Sequence, residues 1–497
     1  MSASSEDLPN PATRGPSGPP DQGSRDPVAL GILLLALLVG LVRYWNLGEW
    51  SLWIDEAYTY ADGWYGQRGD GIWNPLGYQI VRFTSDLLGG RPDELALRLA
   101  PATAGWLCLP AAWFAFKPII GSRRAALVAL LLAVHPWQMY WSQNARFYTF
   151  AQLTSLGGAA LALRGIHRGN ALGYVAGLAG LAAAGAFHVT AAALAPAFLI
   201  AFSLARRGAP EPYGGPASRR LEWIGWGLLV ISAVGSYPWW GTALTHHLTQ
   251  KGTGNPLSGP IHLALTSGYF FHPLVAAAAV LGALYSLRAR DHGGRLAAAL
   301  VLVAFLVLGG ISTRMLMTAQ YAFALLPWTL ALAVLPLEAL GRCARGRALM
   351  AGGTFALFGS LAASLLLYFT TRHGERPRWR EAFELVDRMA EPEDLILGMG
   401  APVAEFYLGD EELDPRRPVR IKALADWFPD GPRRWNRHDR RAWIVIRPQW
   451  LPSFFGSDPR AIEEWLVSDC RLVRTFPVAM EGKDLDVLVY LFEGSGD

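Results

Sequence analysis

The chain is poor in charge and in cysteine. Only 17% of its 497 residues are Asp, Glu, Lys or Arg, whereas 52% are hydrophobic. Soluble domains average about 25% charged residues, so an ordinary water-soluble body is excluded. The three cysteines, Cys108, Cys343 and Cys470, stand far apart. They lack metal-ligand spacing and imply no disulfide framework. The net charge is only +4, with Lys and Arg scattered through loops singly or in pairs, so nothing points to nucleic acid. No internal repeat of fixed period is evident, which removes a solenoid.

What is abundant is apolar length. Several runs approach the roughly 20 residues that a helix needs to cross a bilayer. Hydropathy marks about eleven spans, near 28–47, 96–116, 125–141, 149–163, 171–187, 189–205, 221–238, 262–287, 296–311, 319–340 and 349–369. The expected fold is a polytopic α-helical membrane protein. Residues 1–27 are rich in Pro, Gly, Ser and Asp and are expected to form a disordered tail. They are not expected to form a secretory leader. The start is not basic, and no small-residue cleavage site follows Val28–Leu47.

Loop charges orient the spans. One alternate set carries Lys117, Arg123 and Arg124; Arg164 and Arg168; Arg206, Arg207, Arg219 and Arg220; Arg288, Arg290 and Arg295; Arg342, Arg345 and Arg347. The other short loops carry only Arg146, Lys251 and Arg314. Basic loops stay cytoplasmic. The N-terminal tail is therefore expected in the cytoplasm, and the loop 48–95 and everything after Phe369 outside. The plasma (inner) membrane is the expected location.

Within the loop 48–95, Ile72, Leu76, Ile80, Phe83 and Leu87 recur at helical spacing. That pattern suits an interfacial amphipathic helix or one packed on the bundle. Three bodies are expected: the tail, a membrane domain over 28–371, and a small extracytoplasmic α/β domain over 372–497. In the last, strands are expected at 395–397, 443–446, 472–478 and 487–492, with helices at 381–389 and 461–467.

The most informative stretch is Trp53-Ile54-Asp55-Glu56-Ala57, just past the first span. An interfacial aromatic belt explains Trp50, Trp53, Tyr58 and Tyr60. It does not explain two adjacent acids at a membrane rim, where ionisable groups default to function. One outward carboxylate suits glycosyl transfer from a polyprenyl-phosphate sugar. A phosphate leaves as a stable anion and needs no general acid, so one base for the acceptor hydroxyl suffices. Cations must steady the departing phosphate. Candidates on the same side are Arg98, Arg146, Arg314, His246, His247 and Lys251. Each has a plain alternative as a snorkelling or helix-end charge, and Arg98 has Glu94 four residues away. His246-His247 has no partners at ligand spacing, so no metal site is assigned.

These residues resemble the GT-C superfamily of integral-membrane glycosyltransferases, specifically the branch of protein O-mannosyltransferases and aminoarabinose lipid A transferases. The resemblance rests on Ser51–Ala57, Asn74-Pro75-Leu76-Gly77-Tyr78, Glu94–Pro101, Ser142–Tyr148, and Arg314 with Tyr321–Pro327. It covers about residues 28–340. It implies a polyprenyl-monophosphate sugar donor and inverting transfer on the outer face. Asp55 then matches the family's base and Glu56 its neighbour. Arg146 and Tyr148 match a motif bordering the donor site, and Asn74 and Tyr78 join the expected substrate-binding set. The family often has His-Pro-Pro-Leu-Tyr where this chain has Trp73-Asn74-Pro75-Leu76-Gly77-Tyr78. It often has an acid where this chain has Asn144, so no cofactor is assigned and a divalent cation stays open. The acceptor is a glycan, lipid or protein hydroxyl. The rivals are a lipid-linked sugar transporter or flippase, and a non-catalytic subunit of glycan assembly.

Overall fold

The structure, a computed structural model, describes residues 26–65, 74–88, 93–207, 209, 211–238, 241–242, 245, 249, 259–340, 344–399, 401–409, 420–424, 441–451, 459–480 and 484–494. The expected tail, Ile72, His246, His247 and Lys251 lie outside the described residues, save for the tail's last two positions. Helix α1 (Pro27–Gly40) starts where Asp26 accepts from the backbone N of Val28 and Ala29, with proline at the first helical position. It runs on as a 3-10 turn to Tyr44. The helices α2 (Ile54–Tyr65) and α3 (Pro75–Leu88) follow. Then come α4 (Glu94–Ile120), α5 (Ser122–Val134), α6 (Pro136–Ser142), α7 (Tyr148–Arg168), α8 (Ala171–Phe187) and α9 (Leu194–Ala205). The helical part ends with α10 (Pro216–Gly235), α11 (Pro260–Phe270), α12 (Pro273–Ala289), α13 (His292–Ser312), α14 (Leu326–Leu340) and α15 (Ala344–Thr370).

Each expected span coincides with a helix or a consecutive pair. Among the described residues, 5 helical stretches are long and apolar enough to cross a bilayer, or 6 if α11 and α12, bent by 107°, count as one. Ala171–Phe187 and Val189–Ala205 are apolar but shorter. Large apolar side chains are exposed along these helices, among them Leu34, Leu38, Val234, Leu306 and Phe355. Patches of that extent suit a lipid surround rather than water.

Without a hydrophobic drive between helices in lipid, small residues let backbones close in. The pair α7 and α8 does this. A Cβ on Gly177 would sit 2.2 Å from the Ala162 backbone N, and one on Gly158 would sit 2.6 Å from that of Leu181. The expected amphipathic helix is present as α3. Gly77 lies against Phe147, while Leu76, Phe83 and Leu87 are 40%, 64% and 73% exposed. Its apolar face is therefore not spent on the bundle, which is the behaviour of an interfacial helix.

Beyond Thr370 an α/β layer begins. The helix α16 (Trp379–Met389) buries Trp379, Ala382, Phe383 and Val386, one stripe at helical spacing. The sheet contains β1 (Leu395–Gly398), β2 (Arg420–Ala423), β3 (Ala442–Ile446), β4 (Arg471–Phe476) and β5 (Val487–Phe492), in the order β2-β1-β3-β5-β4. β1 pairs in parallel with β2 and β3, while β5 pairs antiparallel with β3 and β4. β1 and β3 are buried along their whole length, as strands covered on both faces must be. One face carries α16 and α17 (Ala401–Leu408), the other α18 (Pro459–Ser468). The sequence reading contained four of the five strands and missed β2. The first face does not close on itself. Leu52, Ile54, Ala57 and Tyr60 from the loop before α2 and from α2 itself share its core, with Leu97 and Ala145.

Substituting Gly177→Leu should force α7 and α8 apart and cost at least about 2 kcal/mol. The check is a lowered unfolding temperature of the detergent-solubilised protein, with Gly157→Leu, whose Cβ meets nothing within 4 Å, as the neutral control.

Candidate active site

Helix α2 starts at Ile54, so Asp55 and Glu56 both lie in its first turn, where acids complement the helix dipole. Glu56 reaches back to accept from the Trp53 backbone N at 2.7 Å, the reciprocal half of a capping box. Neighbours on a helix do not face the same side. The two acids consequently have different fates.

Glu56 is fully buried. Its Oε1 accepts from Arg98 Nε at 2.7 Å and from the Ala145 backbone N at 2.7 Å. Its Oε2 accepts from Arg98 Nη2 at 2.9 Å and Arg376 Nε at 3.2 Å. Arg98, also fully buried, donates its other N–H groups to the carbonyls of Leu47 (3.1 Å), Trp50 (2.8 Å) and Ser51 (2.9 Å). All five of its donors are thereby engaged. Arg376 also donates to Tyr368 Oη (3.1 Å), Gly374 O (2.7 Å) and Gln143 O (2.6 Å). Burial pushes the Glu56 carboxyl up, but Arg98, Arg376 and the hydrogen bonds more than offset this and hold it at about 2. The structure thus places Glu56, expected as the neighbour of the base, and Arg98, expected as a substrate cation, in one closed buried network. Their polar atoms satisfy one another, and neither can turn to a ligand without leaving a buried charge unpaired.

Asp55 is only partly buried. Among the described residues no ion pair or hydrogen bond engages its carboxylate. Its backbone carbonyl accepts from Thr59 Oγ1 (3.0 Å) and Arg146 Nη1 (3.2 Å). Arg146 also donates to Thr59 Oγ1 at 2.8 Å, and its guanidinium lies 4.5 Å from the centre of the Phe147 ring. Burial opposes the charge on Arg146, but Tyr78, Asp55 and Tyr148 outweigh it and raise its proton affinity. Arg146 is thus a permanent cation beside Asp55.

Aromatic rings continue the site. Tyr148 lies 4.1 Å from Trp141 and 4.7 Å from His188 between ring centres, and Tyr78 lies 5.3 Å from Phe147. Asn74 is buried, and its carbonyl accepts from Gly77 N at 3.1 Å. Asn144 is fully buried, and among the described residues neither of its amide atoms has a hydrogen-bond partner. Arg314 is exposed just beyond α13. Among the described residues no group of three or more His, Cys, Asp or Glu side chains is placed to hold a metal ion.

Sequence reasoning missed His188, Arg376 and Arg447. His188 had a signal, as the one charged-capable residue interrupting the apolar run 171–205. Arg376 and Arg447 had none, being two of many arginines after the last span.

No family model and no curated protein sequence matches the chain. Solved structures do. ArnT from Cupriavidus metallidurans in the apo state superposes with a TM-score of 0.57 at 16% identity, covering 93% of this chain and 98% of that one. The same protein bound to undecaprenyl phosphate gives 0.54 at 16% identity, over 94% and 98%. An apo oligosaccharyltransferase from Archaeoglobus fulgidus gives 0.57 at 10% identity, over 85% and 70%. Both proteins are GT-C superfamily membrane glycosyltransferases. The chain therefore has the GT-C fold that its motifs resemble. Identities this low carry the fold and no further.

Replacing Glu56 by Gln should leave Arg98 and Arg376 without their counter-charge and cost about 3–5 kcal/mol. Because the folded carboxyl lies below its ordinary value of 4.5, its contribution is complete above that pH and lost as pH falls through about 2. Thermal unfolding across that window should be steep in the parent and flatter in Glu56→Gln.

Proposed function

We propose that this chain is an inverting glycosyltransferase that moves a sugar from a polyprenyl-phosphate donor to an acceptor hydroxyl at the outer face of the membrane. Asp55 takes the acceptor proton. The acceptor oxygen attacks the anomeric carbon from the face opposite the phosphate, the bond from that carbon to the phosphate oxygen breaks, and polyprenyl phosphate departs as an anion. No general acid is needed, because the leaving group is already stable in water. The proposed chain crosses the plasma (inner) membrane eleven times, with its N-terminus cytoplasmic and its α/β layer outside.

One observation carries this reading. Of two adjacent acids at the membrane rim, one is spent on structure and the other keeps its carboxylate available beside a fixed cation. Arg146 and the exposed Arg314 are the proposed phosphate cations, and His246, His247 and Lys251 remain candidates for the same role. Tyr148, Tyr78 and Asn74 are proposed to shape the donor pocket. The unpartnered amide of Asn144 offers one donor and one acceptor to a sugar hydroxyl. The structural likeness to a protein bound to undecaprenyl phosphate supports the donor class.

Purified protein given a labelled polyprenyl-phosphate sugar and an acceptor should release polyprenyl phosphate. Asp55→Asn should lower that release by about 100-fold or more while the protein stays folded. Turnover retained in Asp55→Asn would discard the base assignment.

A further inference from the structure

The stretch that delivers Asp55 has little structure of its own. Residues 50–53 precede α2 without helix or strand, so side chains from elsewhere set their course. Many of those side chains come from beyond the last span. Tyr407, on α17, accepts from the Leu52 backbone N at 2.7 Å and donates to Glu94 Oε1 at 3.0 Å. Arg380, on α16, donates to the carbonyls of Gly48 (2.7 Å) and Glu49 (3.2 Å), and its own backbone N donates to Ser51 Oγ at 3.0 Å. The Arg447 guanidinium lies 5.3 Å from the centre of the Trp53 ring.

The turn that launches this layer is held against its preference. His373, Gly374 and Glu375 take φ of 47°, 60° and 55°, three successive residues in the left-handed region that only glycine tolerates freely. Gly374 sits so close to Trp50 that a Cβ there would lie 2.9 Å from the indole. Strain of this kind persists where the surroundings over-determine it. Here they do, because the next residue, Arg376, is locked onto Glu56.

We propose that Tyr407 is a positioning residue for Asp55, and that the α/β layer is in this way an integral part of the reacting centre. The proposal rests on the reading of Asp55 as base. Leu52 N is three residues before Asp55, and Tyr407 Oη is the hydroxyl that pins it. A base acts only within about 2.6–3.2 Å of the proton it removes, and a misplacement of about 1 Å can cost roughly 100-fold in rate. The phenol ties the Leu52 backbone N to the first turn of α4, beside the bonds that Arg98 of α4 makes to the carbonyls of Leu47, Trp50 and Ser51. Through Glu94 it also meets Arg380, whose guanidinium pairs with the same carboxylate at 2.6 Å. The layer thus grips the Asp55 stretch at Gly48, Glu49, Ser51, Leu52 and Trp53 in succession.

The test is steady-state kinetics of the full-length protein in detergent, with turnover expressed per folded molecule. Tyr407→Phe should lower kcat about tenfold, with the KM for the polyprenyl-phosphate sugar within about twofold of the parent. Glu94→Gln keeps an acceptor for the phenol while removing the ion pair to Arg380, so its kcat should stay within about twofold even where its unfolding temperature drops. A kcat in Tyr407→Phe equal to the parent would overturn the proposal. So would a loss matched by an equal rise in donor KM, or a loss of the same size in Glu94→Gln. Asp55→Asn, assayed alongside, separates the two readings. Its continued turnover sinks the base assignment, whereas its inactivity beside a fully active Tyr407→Phe sinks only the positioning role.

Discussion

The carboxylate of Glu56 is the constraint on which the junction between the helices and the α/β layer depends. It accepts from two arginines and two backbone N–H groups while fully removed from solvent. Those partners come from α4, from the segment after α15, from the start of α2 and from the loop before α7. An isolated charge in such a place would be prohibitively costly. The four elements can therefore be buried together only if all of them arrive. A buried ion pair is weak evidence for stability in itself, since apolar residues of similar volume often do as well. What it supplies here is register. Arg98 spends its remaining donors on the carbonyls of Leu47, Trp50 and Ser51, and so fixes the backbone path into α2.

That register separates the two acids. With Glu56 turned into the protein by its five contacts, the helical step leaves Asp55 on another side, next to Arg146. Arg146 in turn binds the backbone of α2 through the Asp55 carbonyl and Thr59. The carboxylate on α2 and a cation from the loop before α7 are thus held together by hydrogen bonds, which is the preorganisation that the proposed reaction requires. The aromatic wall of Trp141, Tyr148 and His188 closes in from the helices below. The α/β layer grips the stretch before α2 through Tyr407 and Arg380, and Glu56 is held by Arg376 from the segment after α15.

Much of the fold was legible along the chain, because its determinants are local. Apolar runs of sufficient length mark helices wherever they occur, and each expected span met a helix or a helix pair. The stripe in α16 and the short β-branched runs at β1, β3, β4 and β5 are likewise local signals. β2 escaped because it is only four residues long, Arg420–Ala423, and two of them are charged; its pairing with β1 makes it a strand. The eleven apolar segments did not all pass as crossings: among the described residues five do, or six if the bent pair counts as one, and α8 and α9 are apolar but short.

The site was legible only in part. The acids before Ala57 announced themselves as expensive charges at a membrane rim, and the motif order pointed to Arg146 and Tyr148. Residue identity alone determined that much: the membrane class, the helix positions, the presence of a paired acid just past the first apolar helix and its neighbouring cation. It could not show that Glu56 would be buried and Asp55 left partly exposed, nor that Arg98 would be enclosed with Glu56, nor bring Arg376 and Tyr407 to the same spot from more than 300 residues away. Those outcomes depend on which buried carboxylate finds its counter-charges, and only the folded chain brings such distant groups within hydrogen-bond reach.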